Sequence, residues 1–204
     1  MQQLNNEEIT ELQSKIRQLK DEIKELKNDD SNVEIEKFSK IITSFYLSGK
    51  DTSNFISEDS ERKGFIIRYA KKGNILQPKE TKTFVKDGKE TDVEINYFPG
   101  SMARHTAMQL CGYLAFLQKL LENNRFPIAP LLVIDHISKS FDDENKKAIG
   151  SIISNALNGI GKDKLQIFMF DTEQAEAFGI DSTCSTNLID GEKTGFCPFF
   201  VANR

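Results

Sequence analysis

Apolar residues at Ile9, Leu12, Ile16, Leu19, Ile23 and Leu26 alternate in steps of three and four, with charged side chains filling the gaps. That is a heptad seam with Ile at each a position and Leu at each d position, a choice that favours two-stranded coils. Glu22 and Lys27 fall at g and e, where they can pair across the seam. A seam of about three heptads is marginal alone and needs a partner. Asp29-Asp30-Ser31-Asn32 interrupts the pattern, so the spacing predicts a coiled-coil segment over residues 1–30 and a folded lobe over 31–204. Val33 to Leu47 returns to helical spacing through Phe38, Ile41, Ile42, Phe45 and Tyr46, and Ser48-Gly49 ends that helix.

The pattern then changes to short strands. Gly64 to Ala70 holds Phe65-Ile66-Ile67 and Tyr69. Thr83-Phe84-Val85 and Val93-Glu94-Ile95 flank Asp87-Gly88, a turn signal with a loop expected to exceed two residues. These predict a small antiparallel sheet. Tyr97-Phe98-Pro99-Gly100-Ser101 opens a long helix, about Ala103 to Glu122, whose apolar residues lie on most faces, as in a buried helix.

Pro130 to Asn145, PLLVIDHISKSFDDEN, is the centre of the pattern. Leu131 to Ile134 are uninterruptedly apolar, as in a strand covered on both faces. The run ends in Asp135, where open α/β sheets bind ligands. Asp142, Asp143, Glu144 and Asn145 then begin a further helical pattern through Ala148, Ile149, Ile152 and Ile153. Leu165 to Phe170 predicts another buried strand, ending in Asp171-Thr172. Phe196, Phe199 and Phe200 of the tail are expected to pack on the sheet.

Composition narrows the class. Charged residues are 28% and hydrophobic residues 38% of 204, ordinary for a globular domain. No apolar run approaches the ~20 residues of a membrane span, and Met1-Gln2-Gln3 leads into a polar helix rather than a signal peptide. Cys111, Cys184 and Cys197 are widely spaced, as in a cytoplasmic protein with reduced thiols. The net charge of -4 gives no general attraction to nucleic acid. Arg62 to Lys89, however, holds nine basic residues against Glu80 and Asp87. A polyanion footprint would lie there, unless these lysines only blunt the edges of a solvated hairpin.

Residues 131–142 resemble the Walker B and D-loop segment of ABC-type ATPases, especially the SMC-like branch. Leu131 to Ile134 with Asp135 match the Walker B strand, and Ser140-Phe141-Asp142 match the D-loop. Gly100-Ser101 stand for the signature core, with Met102 and Ala103 departing from it. His136 replaces the usual catalytic Glu, and Ile137 the usual Pro. No GxxxxGK[ST] is present. The resemblance therefore implies the C-terminal lobe of a head: an ABC-ATPase-like α/β sheet flanked by helices, a small antiparallel β section and an N-terminal coiled-coil helix.

The resemblance implies roles as well. Asp135 holds Mg²⁺, Gly100 and Ser101 meet the γ-phosphate of ATP bound to the opposite subunit, and Ser140 and Asp142 line the dimer interface. Thr172 or Asp171 stands at the switch position, and His136 takes the place of the general base. Implied partners are an N-terminal ATPase lobe on the same or a separate chain, a second head, DNA and an effector subunit, with no membrane. Two other classes fit the residues: a non-catalytic coiled-coil interaction protein with a degenerate head, and a nuclease or phosphatase holding metal through Asp135 with Asp142, Asp143 or Glu144. His105 and His136 are the only histidines, without the clustered thiols of a zinc site.

Overall fold

The computed structural model describes residues 2–86, 88–123, 127–181 and 185, and for residues 2–8 and 24–31 the backbone alone. The expected packing of Phe196, Phe199 and Phe200, and the thiols of Cys184 and Cys197, lie outside the described residues. So does the side chain of Lys27, and with it the expected Glu22–Lys27 pairing.

α1 runs unbroken from Gln2 to Leu47, 46 residues, or about 69 Å at 1.5 Å per residue. The break predicted at residues 29–32 does not occur. Asp, Ser and Asn each cost at most about 0.7 kcal/mol in a helix. No Gly or Pro lies in this span, so helix propagates through four weak formers between two strong segments. What changes near residue 35 is burial. Ile9, Leu12, Ile16, Leu19 and Ile23 are about half exposed, whereas Ser39, Ile42, Thr43, Phe45 and Tyr46 are buried.

β1 (Ile66–Ala70), β2 (Ile75–Lys86) and β3 (Lys89–Asn96) form an antiparallel sheet in that order. Pairing continues to Lys86↔Lys89, so the hairpin loop is two residues, shorter than its sequence predicted. β1 is an edge strand, and α1 satisfies its free amides. The Ile67 N–H donates to Thr43 Oγ1 at 2.9 Å and the Tyr69 N–H to Ser39 Oγ at 3.0 Å. A buried N–H left unpaired costs roughly 1–3 kcal/mol, which explains two hydroxyls on the inner face of α1.

α2 (Asn54–Ser60) precedes this sheet in the chain and α3 (Met102–Asn123) follows it. α3 buries Ala107, Met108, Leu110, Cys111, Leu114 and Ala115. Its other side is open, contrary to a helix buried on most faces: Met102 is 72% exposed, Tyr113 65% and Phe116 54%.

β4 (Leu131–Asp135) and β5 (Gln166–Phe170) are a parallel pair joined through α4 (Lys147–Ile160). Leu132, Ile134, Ile167 and Met169 face the core. The opposite face is about half exposed among the described residues, with Leu131, Val133, Phe168 and Phe170 each 43–56% exposed. The expectation of cover on both faces is thus half met, because an apolar run records that a strand is covered but not by what. α4 also starts later than predicted. Asp142 to Lys146 form a turn, because the Asp142 carboxylate accepts from the Asn145 N–H and side-chain amide instead of standing in a helical first turn. Gly150 in α4 lies so close to a 3-10 turn (Ala175–Phe178) that a Cβ would sit 2.0 Å from the Phe178 carbonyl oxygen.

The described residues therefore form a mixed α/β fold: an antiparallel three-stranded sheet, a parallel pair, and flanking helices. None of those helices is long and apolar enough to cross a membrane.

Candidate functional site

Asp135 ends β4 opposite Phe170. Its side chain is 70% exposed, and His136 beside it is 45% exposed, with Nε2 3.8 Å from Asp135 Oδ1. The His136 N–H continues the strand ladder by donating to the Phe170 carbonyl at 2.8 Å. His136 then takes φ 49°, ψ 40°. That left-handed conformation is uncommon for a residue with a Cβ, and it turns the chain sharply into a 3-10 turn (Ile137–Ser140). Strain of this kind is kept where surrounding contacts over-determine it. Ile137 and Ser138 supply them, since both are buried.

Ser138 is gripped from β5. Its N–H donates to Asp171 Oδ2 at 3.0 Å and its hydroxyl to Asp171 Oδ1. Burial alone would push the Asp171 carboxyl up, but those two bonds and the backbone N–H groups of Glu173 and Thr172 hold it below its ordinary value. Asp171 is thus a brace for the turn after Asp135, while Thr172 is exposed. Asp135, His136, Asp171 and Thr172 share the carboxyl end of one parallel pair.

Gly100 and Ser101 form the entry to α3. Gly100 has φ +65° and open space around its Cβ position. Ser101 caps the helix: its hydroxyl oxygen accepts the Arg104 N–H at 3.3 Å, and its carbonyl accepts the His105 N–H at 3.2 Å. The Arg104 guanidinium then folds back and donates to the carbonyls of Pro99 (3.3 Å) and Phe55 (3.4 Å), and it pairs with Glu58. Behind it, Asp59 is wholly buried and accepts from the Tyr46 hydroxyl at 2.6 Å and Arg62 Nε at 3.4 Å. Arg104 Nε lies 3.4 Å from Asp59 Oδ2, close enough for charge attraction but without hydrogen-bond geometry. Burial, then the Asp59 hydrogen bond, drives the Tyr46 phenol far above its ordinary value. Burial does the same to the Cys111 thiol, which rules out an activated thiolate there.

α2 joins the two regions. The Phe55 ring lies 5.6 Å from Arg104 Cζ and 6.1 Å from the Phe141 ring. The Ser53 hydroxyl and Asn54 N–H both donate to Asn145 Oδ1, at 2.6 and 3.1 Å. One short helix thereby ties the Gly100–Ser101 turn to Phe141–Asn145. Sequence reasoning passed over α2, which at 7 residues is too short to show a helical period. Its signal was Ser53, an N-cap residue type, followed by Phe55 and Ile56.

Ser140 is partly buried and Asp142 exposed. The acids after Asp142 are occupied: Asp143 pairs with Lys146 at 2.6 Å, and Glu144 accepts from Asn54 at 3.3 Å. Among the described residues no three His, Cys, Asp or Glu side chains converge as a metal-binding group. The nuclease or phosphatase arrangement needs Asp135 and these acids to share one ion, and among the described residues no group of three or more does so.

The chain matches no known family model, and no curated protein is significantly similar to it.

Proposed function

We propose that this chain is the C-terminal lobe of an SMC-like ABC-type ATPase head, active only with a lobe that carries a Walker A loop. The observation that carries the reading is the β4–β5 pair. Parallel sheets occur with both faces covered and more than two strands, yet among the described residues this pair has one apolar face about half exposed and no third strand. Its rim carries an exposed carboxylate. The exposed seam of α1 likewise asks for a second helix. A half-sheet, a half-coil and a lone acid are what one lobe of a two-lobe head leaves open.

In this reading Asp135 holds Mg²⁺. The fit is chemical: a single, largely exposed carboxylate suits an ion that keeps several waters and shares its remaining positions with phosphate oxygens. Gly100, free of neighbours, and Ser101, at a helix N-terminus, suit the terminal phosphate of a nucleotide held by the opposite head. Ser140 and Asp142 lie at the head–head contact and Thr172 at the switch position. His136 orients or deprotonates the attacking water. Closure of two heads is transmitted through α1 to DNA or to an effector subunit. The exposed seam and sheet face equally suit a non-catalytic interaction protein, and activity separates the two.

The test supplies a Walker A lobe in cis or in trans and measures Mg²⁺-dependent ATP turnover and nucleotide-dependent association. Asp135→Ala abolishes turnover and leaves folding intact. Turnover unaffected by this change rejects the assignment of Asp135. Association without any turnover favours the interaction protein.

A further inference from the structure

The hairpin β2–β3 outruns the helices that cover its base. Cross-strand pairing sets Lys82 opposite Val93, Phe84 opposite Thr91, and Lys86 opposite Lys89. Because side chains alternate along a strand, these six share one face. That face continues the side on which Leu76 and Pro78 lie, but all six residues are exposed. Phe84 is 49% exposed and Val93 40%.

Charge is sorted between the two faces. Glu90, Asp92 and Glu94 all lie on the opposite one, where Lys63 meets Asp92 at 2.8 Å, and Arg68 and Lys79 meet Glu94 at 2.8 and 2.9 Å. On the Phe84 face Lys82 reaches Glu80 only at 3.4 Å, and among the described residues Lys86 and Lys89 have no ion-pair partner. Lys86 and Lys89 are directly opposed like charges, which destabilise a hairpin. The fold obtains no contact in return. Thus β3 neutralises three of the nine basic residues from Arg62 to Lys89, namely Lys63, Arg68 and Lys79, and on the other face a small cationic surface around one aromatic ring is left.

We infer that the outer half of this face binds single-stranded nucleic acid, with Phe84 stacking on a base and Lys82, Lys86 and Lys89 contacting phosphates. Cations alone would serve any polyanion. An exposed ring among them adds what an unpaired base can use and a duplex backbone cannot. The site needs no nucleotide, so it stands or falls separately from the ATPase reading.

The test is fluorescence anisotropy of a labelled 20-nucleotide oligothymidylate and of a duplex of equal length, without ATP, from 50 to 200 mM salt. The oligothymidylate binds in preference to the duplex. Phe84→Ala weakens it about fivefold or more. Lys86→Gln with Lys89→Gln lowers the slope of log affinity against log salt by about 0.7 for each phosphate that is no longer neutralised. Val85→Ala and Lys63→Gln, on the other face, change affinity less than twofold. The inference is overturned by no saturable binding at 50 mM salt, or by equal weakening from changes on the two faces. Duplex bound as well as single strand, or competition by polyglutamate as strong as by unlabelled oligothymidylate, overturns it too. All variants lie on an exposed ribbon, and unchanged melting temperatures exclude unfolding as the cause.

Discussion

Arg104→Met is the perturbation that asks most of this structure. It keeps an unbranched apolar side chain against Phe55 and removes the guanidinium beside Asp59. Asp59 is wholly buried, and it still accepts from the Tyr46 hydroxyl at 2.6 Å and from Arg62 Nε at 3.4 Å. Breaking a buried ion pair from one side costs roughly 3–5 kcal/mol, because the other charge is stranded. Arg62 still faces Asp59, so the loss is set near the lower end, about 3 kcal/mol. In a domain of this size that is a fall in Tm of about 6–12 °C. Urea unfolding followed by circular dichroism measures the free energy.

A double-mutant cycle with Asp59→Asn separates coupling from the independent effects of the two changes, and an interaction energy of about 1–3 kcal/mol is expected. Arg104 also holds the Pro99 carbonyl, so the amides of Ser101 to Arg104 should exchange faster in Arg104→Met. A loss below about 1 kcal/mol, or strict additivity with Asp59→Asn, refutes the view that this buried cluster fixes the Gly100–Ser101 turn.

The half-exposed sheet face makes a second test. Val133→Lys with Phe168→Lys should leave the unfolding free energy within about 1 kcal/mol, since both positions are about half exposed, while lowering dye binding to apolar surface and self-association in sedimentation; a large loss of stability would show the face to be covered by the chain itself. Asp171 sets a pH dependence. Its folded pKa is held below the unfolded value of 3.8, so its stabilisation is present above that value and is lost as pH falls through the lower folded-state one. The stability gap between the native protein and Asp171→Asn should therefore be full at pH 6 and shrink below about pH 4. A gap that does not change with pH would remove the carboxylate from the brace on Ser138.

Much of the architecture was legible in the order of residues. The seam of α1, the strands at Leu131–Asp135 and Gln166–Phe170, the Gly100–Ser101 helix entry and the hairpin all carry local signals: a period, an apolar run, a cap, a turn. Those signals act over a few residues, where backbone geometry alone ties spacing to shape. Tertiary structure decided the rest. It carried α1 through Asp29–Asn32, because no residue there forbids helix and the flanks favour it. It used α2, too short for a period, to join Arg104 to Asn145. It made Asp171 a brace on Ser138, and it neutralised Lys63, Arg68 and Lys79 with acids that follow them by 15 to 29 residues in the chain. Whether Asp59 is a surface acid or the hub of a buried cluster depends on which side chains surround it, and no sequence spacing records that. Hydrophobic pattern says that Val133 and Phe168 belong under cover. Only the packed fold shows that the core lies against one side of their sheet, and that the described residues leave the other side about half exposed.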